Sequence, residues 1–273
     1  MSTEFITLVP PPGSSLAHYD RHGPSSTQSS SIPTGFKEAM SVREEVFVDE
    51  QNVPLENEFD DDDARSYHWI VYASVGRSST ASASPPAQDG SHNSSGPPRQ
   101  GSDALRVPVG TLRLVPPPHA HPPGNPSAPF TPSPSTAATA SSPPQSAPWD
   151  GHEAYVKLGR LAVVRAYRGL GLGKLLVREA LEWAARNGEA VVPRPKAVEM
   201  ALAAEAIEPW KGLVFVHAQK VAVAMWRKVG FVLEEKAGTW DEEGIEHVLM
   251  WQRLQVTEEV PVGGGDRRRS SAF

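Results

Sequence analysis

The sequence predicts a single α/β (α+β) domain: an antiparallel meander of strands running into a strand, a glycine turn and a helix, with Pro/Ser-rich insertions in its turns. Three observations carry this. The run from Ala154 to Gly188 opens β-branched and apolar and passes through three glycines. It closes with Leu176, Ala180, Leu181 and Ala184 at helical spacing, while Lys174, Arg178, Glu182 and Arg186 take the other face. Two further strand-like runs, 67–75 and 107–115, are set off by low-complexity stretches at about 76–104 and 116–150. These stretches read as insertions into hairpin turns, where extra length costs little in loop-closure entropy. Lastly, 27 Pro and 22 Gly among 273 residues leave roughly 150 residues for a core, the size of one domain.

Taken in order, residues 4–9 make a short apolar strand ended by Pro10. Residues 10–33 are rich in Pro, Ser, Gly and His, too polar to bury a core, and read as a disordered linker; 1–34 therefore stands apart from the domain at 35–255. From Phe36 to Gln51, apolar Phe36, Met40, Val42, Val46 and Phe47 are interspersed with charges as on an amphipathic helix, which Asn52-Val53-Pro54 ends. The acidic run Glu56 to Asp63 reads as a solvated loop. After the glycine turn, Asn187-Gly188 closes the helix with residues that tolerate a left-handed backbone. Glu189 to Pro209 reads as a further insertion with an Ala-rich helical part. Leu213 to Gln219 is a strand, Val221 to Val229 a helix, and Phe231 to Glu235 and His247 to Leu254 are strands, followed by a disordered tail at 256–273.

Composition narrows the functions open to the chain. A net charge of -6, with Arg267 to Arg269 as its one basic cluster, gives no reason to expect nucleic-acid or membrane binding. The chain has no cysteine, hence no disulfide, thiolate nucleophile or thiolate metal site, and its nine histidines are too scattered for a metal constellation. Neither a signal peptide nor a membrane span is expected, which points to a cytoplasmic protein and leaves a nuclear location open as the alternative.

Gly169, Gly171 and Gly173 at a helix start leave backbone N–H groups uncovered at the positive end of the helix dipole, an arrangement suited to phosphate. A nucleotide-triphosphate P-loop would need glycine at Arg168 and Ser or Thr at Leu175; a dinucleotide fingerprint would need glycine at Lys174 or Leu176. Neither fits. What stands is Val163-x4-Arg168-x-x-Gly171-x-Gly173 between a strand and a helix.

That motif resembles the acyl-CoA binding loop of the GNAT superfamily of N-acetyltransferases. The resemblance implies a mixed, mostly antiparallel sheet flanked by helices, with acetyl-CoA as co-substrate. Its pyrophosphate would lie on the backbone of Arg168, Gly169, Leu170, Gly171, Leu172, Gly173 and Lys174, and its pantetheine arm along Leu161, Ala162 and Val163. Arg43-x-x-Val46-Phe47-Val48-x-Glu50-Gln51, Glu58, Asp60, His68, His217-Ala218-Gln219, Gly230-Phe231 and Gly244-Ile245-x-His247 are similar to the ElaA/YjcF-like branch, related to the glucosamine 6-phosphate N-acetyltransferases.

The implied reaction is direct attack of an amine on the thioester within a ternary complex. The partners expected are coenzyme A and a small-molecule amine, with a homodimer as an assembly open to the chain. His217 is the first candidate for the base that takes the amine proton and Glu50 the second, since neutral imidazole and carboxylate both accept protons at neutral pH. A strand N–H of Leu161 or Ala162 would polarise the thioester carbonyl. Arg43 and Arg160 are candidates for an anionic substrate group, as guanidinium groups bind phosphate bidentately. His68 and His247 are expected to be structural. Where many relatives of this superfamily place a tyrosine that protonates the leaving thiolate, this chain has Trp226, which cannot do so. A polyamine or a protein lysine as acceptor, and an acyl-CoA sensor without turnover, are the rival readings.

Overall fold

The computed structural model describes residues 5–76, 104–119, 153–192 and 210–256. Most of the expected insertions, the Ala-rich segment and the tail lie outside these residues. One sheet carries the strands β1 (Ile6–Val9), β2 (Tyr67–Gly76), β3 (Ala104–Val115), β4 (Val156–Val163), β5 (Leu213–Gln219), β6 (Val232–Leu233), β7 (Thr239–Glu242) and β8 (Ile245–Arg253). Their order is β1-β2-β3-β4-β5-β8-β6, with β7 paired to β8. The expected meander is present: β1, β2, β3 and β4 pair antiparallel in succession, and β4 and β5 pair in parallel.

The two sheet faces are covered differently. Helix α3 (Leu172–Arg186) lays Leu176, Val177, Ala180, Leu181 and Ala184 on Trp69, Leu112, Leu114, Leu158 and Val216, the largest core cluster. On the opposite face, α1 (Thr34–Arg43) packs Ala39 on Ile70 and Tyr72. The helix expected over 36–51 changes character at its middle: α1 ends at Arg43 and a π-helical turn runs over Glu44–Glu50. It stops at Asn52, whose φ of 61° cannot continue a right-handed helix. Helices α2 (Leu55–Glu58) and α4 (Gly188–Val191) are single turns, and α5 (Val223–Arg227) follows β5.

Two expectations are corrected. Residues 10–33 are not a disordered linker but a wrapped segment packed on the domain. Leu16 and Ile32 are buried with Phe36 and Met40, Tyr19 stacks on Phe59 with centroids 4.4 Å apart, and the Ser25 N–H and hydroxyl donate to Glu44 at 2.7 and 2.8 Å. Low hydrophobicity misled here because side-chain hydrogen bonds, such as those from Gln28 Nε2 to Asp20 O and Gly23 O, hold the segment. Nor is the acidic run a solvated loop: Glu58 and Asp63 are buried, each against arginine. Strand β7 was not expected; Glu243-Gly244, both at positive φ (54° and 78°), turn it tightly into β8.

Candidate active site

Strands β4 and β5 bond to each other only over Val156–Leu158 and Val214–Val216. Beyond that they part. The register between β3 and β4 slips at the same point, Thr111 opposing Ala162 and Arg113 opposing Gly159, so β4 bulges with Arg160 at a φ of 51°. The parting opens a cleft of about 520 Å³ lined among others by Gly159, Leu161, His217, Gln219, Trp226 and Glu242.

Val164 N–H donates to Val109 O at 2.9 Å, so by alternation the Ala162 N–H also faces β3, while Leu161 and Val163 face the gap. Val163 O accepts from Arg168 Nε at 2.8 Å on that side. Of the two N–H groups expected to serve a thioester carbonyl, Leu161 is thus the one on the open edge, and Ala162, 2% exposed, is not.

The glycine turn stands at the upper end of the gap. Gly169 and Gly171 hold φ of 81° and 84°, conformations that strain other residues. The first helical bond of α3 runs from Leu175 N–H to Gly171 O at 3.0 Å, so the N–H groups of Leu172, Gly173 and Lys174 precede the ladder and point out of its end. A Cβ placed on Gly169 would meet nothing within 4 Å, and Leu170 beside it is 70% exposed. An open ring of donors at a helix N-terminus fits a pyrophosphate.

His217 faces the cleft from β5. Its Nδ1 lies 3.0 Å from Glu242 Oε1, an oxygen that also accepts from Trp240 Nε1 at 2.7 Å. Burial would raise the Glu242 carboxyl, but the hydrogen bonds from His217 and Trp240 prevail and hold it at about 2. An ionised carboxylate only accepts, so Nδ1 carries the hydrogen and Nε2 presents a lone pair. Burial lowers the His217 pKa against the opposing pull of Glu242, keeping the ring neutral at physiological pH. His247 Nε2 lies 3.9 Å from the second Glu242 oxygen and its Nδ1 2.8 Å from Ile245 O.

The other expected residues are elsewhere. Glu50 is paired to Arg168 Nη2 at 2.7 Å and lies 3.9 Å from Arg165, which ties the π-helical turn to the glycine loop and engages its carboxylate with a guanidinium. Gln51 Oε1 accepts from Gln219 Nε2 at 2.8 Å, tying the same turn to the end of β5. Arg43 is fully buried outside the cleft, its donors on Glu58 at 2.8 Å and Asp63 at 2.7 Å, so it reads no substrate group. Arg113 binds Asp60 at 2.6 Å and Asp63 at 2.8 Å. Arg160 does line the cleft, but Nη2 binds Asp60 at 3.1 Å, and Nε lies 3.1 Å from Glu58 without a hydrogen bond's alignment. Asp63 is held well below the carboxylate range because Arg43 and Arg113 outweigh its burial. His68 is structural, its Nε2 3.1 Å from Asp63 O. Trp226 is buried edge-on against Phe231. Sequence reasoning missed Glu242 and Lys157; a Glu-Gly pair after alternating Thr239-Trp240-Asp241-Glu242 was the signal for the hairpin that delivers the first.

The acetyltransferase (GNAT) family profile matches residues 106–202. The uncharacterized N-acetyltransferase YjcF of Bacillus subtilis (strain 168) is 27% identical over 215 residues, 78% of this chain and 89% of that protein. The crystal structure of Escherichia coli ElaA is similar at 17% identity and a TM-score of 0.42, covering 84% of this chain and 95% of that one. That of an acyl-CoA N-acyltransferase from Pseudomonas aeruginosa is similar at 18% identity and 0.41, covering 90% and 97%.

Proposed function

From a chain that has the GNAT N-acyltransferase fold and is an acyltransferase, we propose that it moves the acetyl group of acetyl-CoA to a primary amine of a small molecule, by direct attack within a ternary complex. The observation that supports this is the His217–Glu242 pair, standing with a free Nε2 in the gap of β4 and β5 below an open glycine loop. The residues from Arg168 to Lys174 suit the pyrophosphate, and acetyl-CoA supplies an activated thioester. Leu161 N–H, on the open edge, is placed to hold the carbonyl oxygen as it gains charge. An amine with a pKa of about 10.4 arrives protonated at pH 7; His217 Nε2 takes that proton and Glu242 stabilises the imidazolium. Trp226 donates no proton to the departing thiolate, which at a pKa of about 8.5 leaves without one or takes it from water.

The acceptor class belongs to the same reading. An amino-sugar phosphate such as glucosamine 6-phosphate remains the named candidate, although Arg43 and Arg160 no longer serve it, both being paired to acids. A homodimer and a cytoplasmic location belong to it as well. Trp226 favours one rival of another kind, an acyl-CoA sensor that does not turn over. Thiol release from acetyl-CoA with glucosamine 6-phosphate, spermidine and a lysine peptide, alongside calorimetry of CoA binding, separates the two. Amine-dependent release supports the enzyme; CoA binding without release under any amine supports the sensor.

A further inference from the structure

The cations of the cleft are not equivalent. Arg113 and Arg160 line it, but each is neutralised by carboxylates: Asp60 and Asp63 for Arg113, Asp60 and Glu58 for Arg160. Lys157 differs. It projects from β4 on the same sheet face as His217: its partner in register is Phe215 on β5, two residues before His217. Tyr155 and Phe215 on that face form one cluster with Trp240, and both Lys157 and His217 line the cleft. Among the described residues it makes no hydrogen bond and no ion pair. The acids lining the cleft are engaged: Glu58 with Arg43, Glu242 with His217 and Trp240, Asp241 Oδ1 with Gly244 N–H at 2.9 Å, and Glu243 Oε1 with Asn57 Nδ2 at 3.0 Å.

A half-buried lysine with no protein acceptor is a costly arrangement unless something completes it. Burial lowers its pKa, opposed by Glu242 and Asp62 and reinforced by Arg113 and Arg160; of the two acids, Glu242 is bonded to His217 and Asp62 to Arg65, so neither is free for the ammonium. Asp241 and Glu243 carry charge too, but they are exposed, where solvent screens them, whereas Lys157 is half-buried, where a charge counts for more.

Resting on the acetyltransferase reading above, we propose that Lys157 is a specificity-determining residue that binds an anionic group, carboxylate or phosphate, on the acceptor amine. Lys157 is in register with Phe215, two residues before His217, a step of about 7 Å along the strand. The acceptor is therefore a small molecule with its amine at His217 and its anion about that far away. Arg43, Arg113 and Arg160 instead hold α2 and the following turn against α1, β3 and β4, shaping the wall.

The test compares acceptors that differ only in the anion: glucosamine 6-phosphate with glucosamine, and 5-aminopentanoate with its amide. In the wild-type chain the anionic member of at least one pair is expected to have the higher kcat/KM, by about tenfold to a hundredfold, as a charge-assisted hydrogen bond supplies. In Lys157→Gln that ratio collapses toward one through a rise in KM for the anionic member, and in Lys157→Glu it inverts. Neutral members turned over as well as anionic ones by the wild type, or a Lys157→Gln ratio equal to wild type, would overturn the proposal; the wild-type comparison decides even if a variant fails to fold. Absence of turnover with every amine would instead count against the acetyltransferase reading. Calorimetry of glucosamine 6-phosphate on the CoA-bound protein then tests Lys157 by itself, heat with wild type and none with Lys157→Gln supporting the anion site, and equal heats refuting it.

Discussion

His217 illustrates how one side chain acquires a role from its neighbours. Imidazole alone titrates near neutrality; here burial pulls its pKa down, while the Glu242 carboxylate pulls it up and fixes the tautomer. His217→Ala should lower kcat by about 10²- to 10⁴-fold and leave CoA affinity unchanged, as calorimetry would read. The pH profile of the wild type should rise through an acid limb whose midpoint lies below 6.5, the ordinary histidine value. Glu242→Gln removes the group that raises the pKa, so the limb should move to still lower pH while the plateau falls about tenfold or more. An acid limb that moved upward in this variant would mean that Glu242 acts on some other group.

At the scale of elements, the glycine loop and the buried charge network are the two devices that make the cleft. Gly171→Val places a β-branched side chain at a φ of 84°, a backbone such residues strain to adopt, with its Cβ 3.9 Å from Lys174 Cε. CoA binding should weaken by at least about tenfold, for a stability cost of only about 1–2 kcal/mol. The network answers to a different rule. Arg43→Met removes the one fully buried cation that bonds both Glu58 and Asp63, leaving them to Arg160 and Arg113, and should destabilise the chain by about 3–5 kcal/mol in urea unfolding; a loss below about 1 kcal/mol would show that the network is not buried as described. These two elements differ in legibility for the same reason. The loop is a local pattern, so Gly169 to Lys174 could be placed from spacing alone. The network joins Arg43 to Asp63, Arg113 to Asp60 and Arg160 to Glu58 across α1, α2 and its following turn, β3 and β4, and nothing periodic marks such pairs, so its acids looked like a solvated run and Arg43 and Arg160 like phosphate ligands. Glu242 was hidden likewise, since only the β7–β8 hairpin brings it to β5.

Across the whole molecule, acid should act before alkali. Burial holds His68 at about 4, against its ordinary 6.5. Between those values the unfolded chain binds the proton that the native chain refuses, so stability falls as pH drops from 6.5 toward 4, by about 3 kcal/mol from this group. Below 3.8, Asp63 extends the loss, since its folded pKa lies beneath its unfolded one and its pairing stabilises only while it is ionised. Melting temperatures from pH 8 to 4 should therefore decline mainly below 6.5, and His68→Gln should flatten the upper part of that decline. In the proposed reaction the gap between β4 and β5 is where an amine meets a thioester. The most direct test is mass spectrometry of amines incubated with acetyl-CoA and the full chain, beside the His217→Ala variant, with thiol release followed in parallel. N-acetylated product equimolar with thiol in the wild type, and a large loss in the variant while CoA still binds, is the predicted result. Thiol release without acetylated amine, or equal product from both proteins, would contradict it.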